Sequence, residues 1–164
     1  MTPEQYFFHY ALPCADVLLS LNRITKEQYD KLQRKFQDRE VPSREELEKA
    51  FEKAFFRIKR LAQSLGLNYW DMRVMQKYWI EEHNRVIDAG EGLYGKCSET
   101  LKDICRVHES RIIDKKTLNG KTLFVVEYDS GNITRTRTVF ADFVPEMHKG
   151  DRIRIHHSFA IEKI

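Results

Sequence analysis

Six histidines and three cysteines are the side chains best suited to chemistry in this sequence, and their spacing sorts them. Cys14, Cys97 and Cys105 are odd in number and lack CxxC spacing. That argues against a disulfide framework and against a self-contained tetrahedral zinc site, so free thiols are expected. His156 and His157 close the alternating run Arg152-Ile153-Arg154-Ile155. Successive strand side chains point to opposite faces, so the pair is expected to split, with His156 facing a site and His157 facing solvent. Thiolate and imidazole both ligate borderline metals such as iron, and Cys105 and His156 on neighbouring strands could share one ion. Two protein ligands leave most coordination positions open, which suits a transient carrier better than a store. The residues alone also allow a plainer reading, in which Cys105 is a small buried apolar residue and His156 a hydrogen-bonded strand histidine. His108 follows Cys105 by three residues, which on a strand puts the two on opposite faces. His9 and Cys14 flank Pro13 among Tyr6, Phe7, Phe8, Tyr10, Leu18 and Leu19, where core packing is expected.

The arginines raise a second chemistry. Arg135, Arg137, Arg152 and Arg154 are spaced to line one face of a sheet, and Phe124, Tyr128, Phe140 and Phe143 could stack bases beside them. Glu127, Asp129, Asp142, Glu146 and Asp151 lie close in sequence, so the same face reads equally as solvated and neutralised. The overall charge is only +3, with 28 basic against 25 acidic residues, which is short of a nucleic-acid signature. No glycine-rich phosphate loop, trustworthy Ser-His-Asp order or paired carboxylates are present, and nothing positive points to an enzyme.

The elements that must hold these residues fall into two halves. Thr2-Pro3-Glu4-Gln5, Thr25-Lys26-Glu27-Gln28 and Ser43-Arg44-Glu45-Glu46 each place a capping residue three positions before Gln or Glu, and each should start a helix. Pro13 should kink or break the first helix between about Tyr10 and Cys14, Gly66 should end the third, and Asn68 should cap a fourth that carries Trp70, Val74 and Tyr78 to about Ile87. The glycines at 90, 92 and 95 mark a domain boundary, giving a helical domain over 1–95 and a second domain over 96–164. From Val107 onward the period becomes that of strands. Turns are expected at Asn119-Gly120, Asp129-Ser130-Gly131 and Lys149-Gly150-Asp151, with a last strand from Ile153 to Ile161. Four or five short strands suggest a small antiparallel barrel, so the fold class is α+β. With 41% hydrophobic and 12% aromatic residues, 164 residues can bury such cores. No apolar run approaches the about 18 residues of a membrane span, and the first residues lack a secretory signal, so a cytoplasmic location is expected.

The segment Phe143-Val144-Pro145-Glu146, followed by Lys149-Gly150-Asp151-Arg152-Ile153-Arg154-Ile155-His156-His157-Ser158-Phe159-Ala160-Ile161, resembles the small hydrogenase-maturation chaperones HypC/HupF. Members carry a similar run: a hydrophobic residue and Pro, Gly-Asp, an alternating strand with one His, then Gly-Phe-Ala, for which this chain has Ser158-Phe159-Ala160. Cys105-Arg106-Val107-His108-Glu109-Ser110-Arg111-Ile112 is similar to the family's opening Cys segment, with Glu109-Ser110 in place of Pro-Gly. The resemblance covers about Cys105 to Ile164 and implies an OB-like barrel; the helical patterning ahead of it is expected to form an antiparallel bundle. The resemblance further implies an accessory, chaperone-like protein rather than an enzyme, which docks on a HypD-like partner or a hydrogenase large subunit. Iron would be carried transiently through Cys105 and His156, and Gly150, Arg152 and Phe159 would contribute to partner binding. The alternative is a nucleic-acid-binding module that uses the arginine-rich face.

Overall fold

A computed structural model describes all residues, Met1–Ile164. The chain is α+β and divides between Glu82 and His83 into two units, Met1–Glu82 and His83–Ile164. The glycine-rich stretch at 90–95 lies within the second unit, where it forms a 3-10 turn over Gly92–Lys96.

The first unit is helical. Helix α1 (Pro3–Ala11), α3 (Lys26–Gln37) and α4 (Arg44–Ala50) each begin at the expected capping box, on Thr2, Thr25 and Ser43. Pro13 breaks the first helix: a 3-10 turn over Leu12–Cys14 separates α1 from α2 (Ala15–Ser20). The long helix expected after Ser43 is divided at Phe51, whose backbone leaves the helical region and whose ring packs edge-on against Phe7 at 5.6 Å. Helix α5 (Glu52–Leu65) resumes and stops at Gly66, left-handed at φ +65°. The next helix starts three residues later than expected. Asn68 Oδ1 accepts the Trp70 amide and folds a turn, so capping of α6 (Met72–Lys77) passes to Asp71, which accepts the Arg73 amide at 2.9 Å. A π turn over Tyr78–Glu82 closes the unit. Its core centres on Phe7, whose ring meets those of Phe51, Phe55, Trp70 and Trp79.

The second unit opens with α7 (His83–Asp88) and α8 (Glu99–Cys105), followed by β1 (Val107–Leu118), β2 (Lys121–Ser130), β3 (Ile133–Phe140), β4 (Arg152–His156) and β5 (Phe159–Lys163). The five strands pair in a ring of order β1-β2-β3-β5-β4, all antiparallel except β3 with β5. Asn119-Gly120 makes the first hairpin with both residues left-handed, at φ 50° and 75°, as a type I′ turn requires. The second turn falls at Gly131-Asn132, because Asp129 and Ser130 remain paired with Thr134 and Ile133. Ile112, Phe124, Val126, Val139, Ile153 and Ile155 fill the interior and are essentially sealed from water.

Lys149-Gly150-Asp151 clamps β1 at its bulge. Ile112 O accepts the Gly150 amide at 2.8 Å, and the Ile112 amide donates to Asp151 O at 3.0 Å. Gly150 sits at φ +96°, where a Cβ would meet no neighbouring atom, so the cost of a side chain is backbone strain alone. Gly150→Ala should therefore lower unfolding stability by about 1–2 kcal/mol, read as a shift in the denaturation midpoint with unchanged far-ultraviolet circular dichroism.

The strand expected over Ile153–Ile161 is two strands with a turn between them. His157 adopts φ +51°, in the left-handed region, so β4 ends at His156 and the chain reverses into β5. Strand alternation stops at that residue, and the expected outward placement of His157 fails with it.

Candidate functional site at the end of helix α8

His156 lies on the face of β4 opposite Ile153 and Ile155, and it is fully buried because the end of α8 covers it. Its Nε2 is 3.0 Å from the carbonyl oxygen of Cys105, the last residue of α8. His83 Nε2, from α7, is 3.1 Å from the same oxygen. A carbonyl only accepts, so both imidazoles donate to it through Nε2. The His83 and His156 rings meet edge to face at 5.1 Å. Asn84 joins the same corner, accepting the Val107 amide at 2.9 Å and donating to Val107 O at 2.8 Å.

Cys105 and His156 are thus brought together through the cysteine backbone. The thiol is itself buried, and burial pushes it up to about 11, with Cys97 adding to the shift and Arg137 and Arg106 opposing it. At neutral pH it is a protonated, sequestered thiol and a poor iron donor. None of the three cysteines is in a disulfide. Iodoacetamide near neutral pH should alkylate half-buried Cys97 well before Cys105, a difference that peptide mass spectrometry reads directly.

The residue that organises this end of the unit is Asp103, which no motif or spacing singles out. It is a buried carboxylate on α8. Tyr128 Oη donates to it at 2.9 Å, Ser130 Oγ donates to its other oxygen, and Arg137 Nη2 pairs with it at 3.1 Å. Arg137 also donates to Tyr128 Oη at 2.7 Å and lies over that ring at 4.8 Å. Burial alone would raise the Asp103 carboxyl, but hydrogen bonds from Ser130 and Tyr128 and the nearby Arg137 charge outweigh it, and the group is held below its ordinary value. His108 donates through Nε2 to Asp103 O at 2.8 Å; burial lowers its pKa, so the ring is neutral and packs on Tyr128 at 4.6 Å. The available signal was register: Tyr128 and Ser130 share a strand face, and Arg137 is a diagonal neighbour of Tyr128 across the hairpin.

That register also divides the arginines. Arg135 and Arg137 oppose Tyr128 and Val126, on the side that faces the core, whereas Arg152 and Arg154 point away from Ile153 and Ile155. The four share no face. Arg137 is committed to Asp103, and the other pair is committed to carboxylates, Arg152 to Glu109 at 2.8 Å and Arg154 to Glu162 at 2.7 Å. No protein-family model, curated protein or solved structure matches this chain. No helix is long and apolar enough to cross a membrane.

The three residues expected to bind a partner are not gathered in one place. Gly150 and Arg152 lie at the start of β4, while Phe159 lies beside its far end, opposite His156. Four residues of strand separate the two ends, about 13 Å. Phe159 instead joins Phe140, at 5.5 Å, and Phe143, at 5.7 Å, in a half-exposed aromatic trio, with Lys121 over the Phe140 ring at 5.4 Å. The trio sits at the seam of the ring, where β3 and β5 meet in the single pair Phe140 and Phe159.

Proposed function

We propose that this chain is an accessory, chaperone-like protein whose strand unit docks on a protein partner through the aromatic seam of Phe140, Phe143 and Phe159. The observation that carries the reading is the seam itself: three half-exposed aromatic rings beside one lysine, at the least paired junction of the sheet. Half-exposed aromatic clusters of this kind are where binding energy concentrates in protein interfaces. The strand order β1-β2-β3-β5-β4, closed by β1 with β4 and carrying a parallel β3–β5 contact, is the order of an OB-like barrel, which supports that description of the unit. The helical unit is read as an antiparallel bundle that adds a second interaction surface. The resemblance to HypC/HupF supplies the partner class, a HypD-like maturation protein or a hydrogenase large subunit.

Iron, as cargo, is the weaker half of the resemblance. The protonated Cys105 thiol and the His156 Nε2 bonded to the Cys105 carbonyl are a poor donor pair, so docking carries the proposed function and iron handling through Cys105 and His156 is left out of it. Anaerobic co-expression with a HypD-like partner tests both parts. The partner should co-purify with the wild-type chain and be lost with Phe159→Ser, while Cys105→Ala leaves association and iron content unchanged. Absence of association, or association indifferent to Phe159, would remove the docking reading.

A further inference from the structure

The left-handed turn at His157 places two imidazoles together that strand geometry would have separated. Their ring centroids are 5.2 Å apart, and donor nitrogens of the two lie within 4.8 Å of each other. Two imidazoles on one tetrahedral zinc at about 2.1 Å have donor atoms about 3.4 Å apart and ring centres about 5 Å apart. The rings are therefore already at the separation of a shared ion, and a small torsional adjustment brings the nitrogens to it.

We propose that His156 and His157 form a binding site for a borderline divalent cation, Zn²⁺ in the first instance, which His156 approaches through Nδ1. Three features of the surroundings build the site. The first is orientation: the Cys105 carbonyl accepts the His156 Nε2 proton at 3.0 Å, which fixes the ring, the usual support for a metal-bound histidine. The second is rigidity. A non-glycine residue at φ +51° is strained, and His157 is held there from both sides of its backbone, its amide donating to Ile104 O at 3.1 Å and its carbonyl accepting from Arg137 Nη1 at 3.0 Å. Strain that is pinned in this way preorganises the two rings before a ligand arrives. The third is charge: the site adjoins the carbonyl end of α8, which favours a cation, and the neighbouring Arg137 is matched by Asp103 at 3.1 Å. Imidazole suits zinc, nickel and copper, and two such ligands leave the remaining coordination positions to water.

The proposal rests neither on partner docking at the seam nor on the Cys105 thiol. Isothermal titration of the full chain with Zn²⁺ near neutral pH should show one ion per chain. His157→Asn should weaken binding by about tenfold or more; Asn tolerates the left-handed backbone, so the variant removes the imidazole and keeps the turn. Cys105→Ala should bind as the wild type does. Long-range proton–nitrogen spectra should show His156 protonated at Nε2 before zinc is added, with the Nδ1 resonance shifting on binding. No binding by the wild type at roughly 100 µM, equal binding by His157→Asn, or loss of binding in Cys105→Ala would each overturn the proposal. None of these outcomes bears on partner association, which Phe159→Ser reads separately.

Discussion

Asp103→Ala should destabilise the second unit by about 3–5 kcal/mol, because it removes one partner of a buried charge pair and leaves Arg137 desolvated with its countercharge gone. The same substitution strips the acceptors of Tyr128 and Ser130, which join α8 to the hairpin of β2 and β3. Replacing the pair together, with Asp103→Leu and Arg137→Met, should recover much of the loss, since the penalty lies in the orphaned charge more than in the bond. The pH dependence has a definite sign. The folded carboxyl is depressed below its ordinary 3.8, so its contribution is fully present above that value and is lost as the pH falls through the lower folded value. Asp103→Asn should therefore flatten the acid limb of the stability profile. The readout must be far-ultraviolet circular dichroism or amide exchange of the strands, because both tryptophans, Trp70 and Trp79, belong to the first unit. Wild-type stability in Asp103→Ala would show that the network holds nothing.

Phe7→Ala should cost the first unit a similar amount, about 3–5 kcal/mol, by opening a cavity at the meeting point of four aromatic rings. Phe7 is fully buried, with Phe55 4.6 Å away, and the site cannot collapse easily because its neighbours come from separate segments: the break at Phe51, α5, the turn at Trp70 and the π turn. Here tryptophan fluorescence is the right measurement. Both Trp70 and Trp79 pack on Phe7, so the variant should shift the emission of the native state as well as the unfolding midpoint.

Local signals were legible wherever backbone chemistry dictates them. The three capping boxes, the break at Pro13, the left-handed stop at Gly66 and the hairpin at Asn119-Gly120 all form from short-range hydrogen bonds and φ preferences, which need no knowledge of the fold. The Lys149-Gly150-Asp151 turn was equally plain, but its purpose was not, because its partner, the bulge at Ile112, is nearly forty residues away. The site was harder for a related reason. Alternation placed His156 and His157 on opposite faces, a rule that holds only while the strand continues, and the φ of His157 ends it. Asp103 was hidden because a carboxylate on a short helix is ordinarily solvated; only the register of Tyr128 against Arg135 reveals that Arg137 turns inward to meet it. The arginine face failed by the same register.

Docking of a partner on the aromatic seam is tested residue by residue by amide hydrogen exchange of this chain, alone and with a purified HypD-like partner. Exchange should slow only at 140–143 and 158–160, and Phe159→Ser should abolish the protection. Unchanged exchange across those residues while the partner is demonstrably bound, or protection falling elsewhere on the chain, would contradict docking at the seam.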